Sequence, residues 1–171
     1  MNVANGSSSA NSVQPRRMVA VPGVPFARIA AALDGLGWVR VAGGSGAPPL
    51  VPGEPEWAQW ERTDSEATLH YTFQPVVGMR SLEFRGPLTG TRLAEAEAAI
   101  PNIGLVELVT LMRSEDMRTR ILGILAAAEL EAVPLYDEVR KLAGDSDERV
   151  AKAAGLALRR LMDSALRDTA A

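Results

Sequence analysis

The 171-residue chain contains no cysteine, so disulfide staples, thiolate zinc sites and cysteine nucleophiles are excluded. It contains one histidine, His70, so a metal site would have to combine that imidazole with carboxylates alone. Aromatic side chains are scarce: three Trp, two Tyr and three Phe, too few for a convincing sugar cleft. No long basic run occurs, and the formal net charge is -3. A nucleic-acid binder needs clustered Lys and Arg to displace counterions, so DNA and RNA partners are not expected. No stretch approaches the ~20 apolar residues of a membrane span.

What is present has the balance of a folded globular chain, with 47% hydrophobic and 23% charged residues. The length suits one ordinary domain or two small ones. Of the eighteen basic residues only Lys141 and Lys152 are lysine, a usage that fits a GC-rich bacterial genome. Residues 1–90 carry seven basic and seven acidic side chains, and residues 91–171 carry eleven and fourteen. The negative excess therefore sits in the second half.

Residues 1–22 read as a disordered tail rich in Ser and Asn, without the apolar core of a secretory signal, and the expected location is cytoplasmic. Residues 23–90 read as a small α/β sheet unit. Pro25 opens a helix in which Phe26, Ile29, Ala30 and Leu33 share a face, and Gly35 and Gly37 stop it. Trp38–Val41 predicts a strand, and the Gly- and Pro-rich run 42–55 predicts a loop. Trp57–Arg62, Ala67–Phe73 and Met79–Arg85 predict three more strands of an antiparallel meander, with one face buried and one wet. Residues 91–171 predict helices only: one from a Thr91 cap to Ile100, then 104–113, 116–130, 133–143 and 147–166.

Displacing the last region by 31 residues aligns Leu108 with Val139, Asp116 with Asp147, Leu125 with Leu156 and Leu130 with Leu161. A fixed period at both apolar and turn positions is the mark of a stacked helical repeat. The run Glu131-Ala132-Val133-Pro134 through Leu142, followed by Gly144-Asp145-Ser146-Asp147-Glu148-Arg149-Val150, resembles the HEAT-like (PBS-lyase-type) repeats of bacterial proteins. That resemblance covers about 104–163. It implies an α+β chain in which a small N-terminal helix and antiparallel sheet cap a short HEAT-like array, the whole forming one compact body.

Catalytic motifs are hard to find. Gly43-Gly44-Ser45-Gly46 follows a strand, but Pro48-Pro49 stands where a phosphate-binding turn needs a helix N-terminus. No Gly-x-Ser-x-Gly elbow accompanies His70. Glu54, Glu56 and Glu61 flank Trp57 and Trp60 without a cleft to join them. No catalytic, cofactor or metal residue is therefore assigned, and the chain reads as a non-catalytic module that binds another protein. The expected contact residues are Trp57, Trp60 and His70 on the sheet, and Glu115, Asp116, Asp145, Asp147 and Glu148 at the helix turns. An acidic groove there would attract a basic partner, such as a toxin domain neutralised by an immunity protein. The repeat resemblance also allows a chromophore-lyase-type enzyme or helper, or a structural subunit.

Overall fold

The structure is a computed structural model that describes residues 15–170. Five strands, β1 (Arg16–Val19), β2 (Trp38–Gly44), β3 (Trp57–Arg62), β4 (Thr68–Gln74) and β5 (Met79–Arg85), form one antiparallel sheet in the order β1-β5-β4-β3-β2. The meander β2–β5 follows the alternation in the sequence. The strand β1 does not: it falls inside the segment expected to be a tail. Four residues, two of them arginine, are too short to show alternation, and it is pairing with β5 that orders them, Met18 opposite Leu82 and Val19 opposite Ser81. The rest of that expected tail, 1–14, lies outside the described residues.

One face of the sheet is covered by α1 (Phe26–Gly35) and α2 (Gly90–Ala99). Extended Pro25 sets the entry to α1, which buries Phe26, Ile29 and Leu33 against Trp60, Leu69, Tyr71 and Phe84. The hydroxyl of Thr89 accepts the Arg92 N–H at 3.4 Å, so Thr89, two residues earlier than expected, caps α2.

Behind the other face lie α3 (Leu105–Met112), α4 (Met117–Glu129), a 3₁₀ turn (Val133–Leu135), α5 (Tyr136–Leu142) and α6 (Glu148–Ala170). Val19 and Met79 of the sheet share a second core with Leu108, Ile124, Val139, Val150 and Leu161 of these helices.

This arrangement corrects the expected HEAT-like array. The chain is α+β with six α-helices among the described residues, and no solenoid is formed. In a solenoid each hairpin touches only its neighbours and one face stays open. Here α4 is central, packed on α3, on α6 and on strands β1 and β5. Its buried Gly123, Ala126, Ala127 and Ala128 allow that approach from several sides. The helices are also unequal: α6 has 23 residues and α5 has 7. The internal match at 31 residues therefore marks two amphipathic helical hairpins of similar pattern, gathered around one core.

Candidate functional site

Side chains alternate across the sheet, so its second face carries Trp57, Gln59 and Glu61 from β3 and Thr68, His70, Thr72 and Gln74 from β4. From β5 it carries Met79, Ser81 and Glu83. The helix α4 covers only the β1–β5 half. Among the described residues, no helix lies over the half made of β2, β3 and β4. Cross-strand pairing sets Gln59 beside His70 and His70 beside Glu83, and sets Trp57 beside Thr72.

Trp57 is 49% exposed and lies against Gly44, where a Cβ would sit 3.4 Å from the indole nitrogen. Trp60, three residues on, is fully buried on the opposite face. A cavity of about 150 Å³ opens where the bare half-sheet meets the helices, lined by Gln74, Met79, Leu125, Glu129, Leu156 and Arg160. Leu156 is 53% exposed there, and Val76, in the turn that follows Gln74, is 82% exposed. Leu156 and Gln74 thus line the cavity at the junction of sheet and helix, while Trp57, opposite Thr72 and against Gly44, is exposed farther out on the same open face. Exposed aromatic and apolar side chains gathered around polar ones make a surface suited to protein contact.

An ionic cluster closes one flank of this junction. Arg17 of β1 pairs with Glu83 at 3.3 Å and with Glu131, while Arg160 of α6 pairs with Glu129 at 2.9 Å. Glu131 also accepts Ser164 Oγ at 3.0 Å and Arg167 Nη2 at 2.9 Å. Burial opposes its ionisation, but the bonds from Ser164 and Arg17 prevail and hold its carboxyl below the ordinary 4.5. Glu131 has a φ of 51° in the turn after α4, where glycine is the usual residue. The network holds it in that conformation.

The acidic residues expected to meet a partner lie elsewhere, at the N-terminal ends of α4 and α6, and three of the five are committed to local structure. Asp116 accepts the Thr119 N–H at 2.7 Å and so caps α4. Asp145 pairs with Arg120 at 3.2 Å and accepts the Asp147 N–H at 2.9 Å. Asp147 accepts the backbone and guanidinium of Arg149, which pull its carboxyl down to about 2. Glu115 and Glu148 are exposed. The surrounding depression also contains Arg113, Arg120 and Lys141, so it is not an acidic groove.

The carboxylates around Trp57 are likewise separated. Glu54 accepts the Phe26 N–H at 3.1 Å and pairs with Arg80 at 3.1 Å, pinning the end of the β2–β3 loop to the start of α1. Glu61 is exposed on the open face. Among the described residues no group of three or more His, Asp or Glu could hold a metal ion.

Comparisons with protein-family models, with curated proteins and with solved structures return no match. Among the described residues no helix is long and apolar enough to cross a membrane. Sequence reasoning named Trp57, Trp60 and His70 together as contact residues, of which Trp60 is buried, and missed Val76 and Leu156. Leu156 was visible only as a repeat position, and its exposure depends on how α6 sits beside the sheet.

Proposed function

We propose that this chain is a non-catalytic module that holds another protein in the junction between its bare half-sheet and α6. The observation that carries this is the half-exposed Trp57 on the part of the sheet that no helix covers among the described residues, with exposed Leu156 lining the cavity at the margin of that face. Large aromatic and apolar side chains bordered by polar ones are the usual anchors of protein interfaces, where a few residues carry most of the binding energy. The most specific form of this role is an immunity protein that neutralises a toxin in the cytoplasm of a bacterium.

Affinity capture from the host, run in parallel with wild type and a Trp57→Ala/Leu156→Asp variant, tests the binding role. One protein recovered in equal amount by wild type and lost with the variant supports it. Equal recovery by both would remove the junction from consideration. Toxin protection tests the narrower form. Cells expressing the chain should survive a toxin encoded beside it, and survival no better than controls would sink that form while leaving the binding role standing.

A further inference from the structure

The cavity at the junction of sheet and helices is walled by four elements. Gln74 ends β4 and Met79 begins β5, while α4 supplies Leu125 and Glu129 and α6 supplies Leu156 and Arg160. Where α4 and α6 pack together, two buried alanines, Ala128 and Ala157, line the cavity with side chains too small to fill it. Met79 is buried and Leu156 is half-exposed, so the floor is apolar and the mouth opens to solvent beside the bare half-sheet.

The lining also says what fits. Glu129 and Arg160 pair with each other at 2.9 Å, so the two charges at the cavity offset one another. A charged occupant would lose hydration there without gaining an unpaired counter-charge. The volume of about 150 Å³ is that of a cavity able to hold one benzene-sized ring. Two lining groups favour such a ring over an aliphatic chain of similar size: the thioether of Met79 through its sulfur, and the guanidinium of Arg160 through its charge. Gln74 is exposed at the cavity and carries an amide that both donates and accepts, as a peptide backbone requires. We infer that this cavity is the socket for one uncharged aromatic side chain of the partner protein, whose backbone passes over the mouth at Gln74. The inference rests on the binding role proposed above and names the anchor that the partner brings.

N-acetylphenylalanine amide, N-acetylleucine amide and toluene, each titrated into the full isotope-labelled chain and followed by NMR, test this. The phenylalanine amide should shift the signals of Gln74, Met79, Leu125 and Leu156. It should bind about tenfold more tightly than the leucine amide, which lacks a ring for the sulfur and guanidinium to meet. Toluene, the same ring without a backbone, should bind no more tightly than the phenylalanine amide. Leu156→Trp replaces an exposed side chain and sets an indole at the mouth, so it should abolish the shifts without lowering the melting temperature. Met79→Leu should narrow the gap between the two amides. Trp57→Ala should leave the titrations unchanged, since that ring lies farther out on the open face. In affinity capture, the partner recovered by wild type should be lost with Leu156→Trp. Toluene binding without either amide would assign the cavity to a free small molecule and overturn the inference. Equal affinity for the two amides, or shifts confined to other parts of the chain, would overturn it as well. A partner retained by Leu156→Trp but lost with Trp57→Ala would overturn the socket and leave the binding role standing. Recovery of no partner beside the expected titration would overturn the binding role, while the cavity would keep its preference for an aromatic ring.

Discussion

Arg17 and Glu131 are 114 residues apart in the chain, and their side chains form the ion pair that ties the first strand to the end of α4. Glu131 extends the tie to α6 through Ser164 and Arg167, so one carboxylate joins three elements. Its left-handed φ is a conformation that a non-glycine residue adopts at a cost of about 1–3 kcal/mol.

Acid should reveal this tie. The carboxyls of Glu83 and Glu131 are held below their ordinary 4.5 in the folded chain, burial opposing and hydrogen bonds outweighing it. A depressed folded pKa gives stability that is present above the unfolded value and lost as pH falls through the folded one. Glu131→Gln should therefore lower the thermal midpoint at pH 7. The difference from wild type should shrink as pH falls below about 4.5. A gap independent of pH between 7 and 3 would contradict the electrostatic account.

Gly123 lies in the middle of α4 because α3 crosses it closely. A Cβ there would stand 2.9 Å from both Leu111 Cβ and the backbone nitrogen of Met112. Alanine raises helix propensity, but backbone cannot yield easily, so overpacking wins. Gly123→Ala should destabilise the chain by about 1–3 kcal/mol in urea unfolding. A neutral or stabilising result would mean that α3 and α4 do not approach this closely.

Tyr71 is buried, and among the described residues its hydroxyl makes no hydrogen bond of good geometry, although the Arg80 guanidinium is close enough to interact with it. The neighbouring Arg80 directs its guanidinium to Glu54 and to the Gly78 carbonyl. Burial pushes the Tyr71 hydroxyl up to about 12. An unpaired buried hydroxyl costs about 1–3 kcal/mol, so Tyr71→Phe should leave the melting temperature unchanged or raise it. A clear drop would show that the hydroxyl is bonded in solution.

The two tryptophans of β3 should behave oppositely. Trp60 is fully buried, with Phe26 and Tyr71 at ring-centroid distances of 5.8 and 6.4 Å. Trp60→Ala should cost about 3–5 kcal/mol or prevent folding. Trp57→Ala removes a half-exposed ring and should shift stability by about 0.5 kcal/mol at most. Loss of stability with Trp57→Ala comparable to that with Trp60→Ala would place Trp57 in the core and remove it as a contact residue.

Much of this fold is local and was therefore legible in the sequence. The alternation of Leu69, Tyr71 and Phe73 fixed which face of β4 would be buried, because successive side chains on a strand point to opposite sides. Pro25 with Phe26, Ile29 and Leu33 determined α1, and the spacing of Trp57 and Trp60 put them on opposite faces of β3. Asp116, by contrast, was expected to meet a partner, and the structure gives its carboxylate to the cap of α4.

The tertiary structure alone decided the rest. It ordered Arg16–Val19 as a strand, since four residues gain their hydrogen bonds only from β5. It made α4 the shared centre of sheet and helices instead of one member of an array, because a period records which residues are apolar and not which neighbours bury them. The same limit applies to the candidate site. A sequence shows that Trp57, Val76 and Leu156 are apolar, but their exposure depends on which half of the sheet α4 covers and on how α6 sits beside it. That choice is made by packing between segments far apart in the chain.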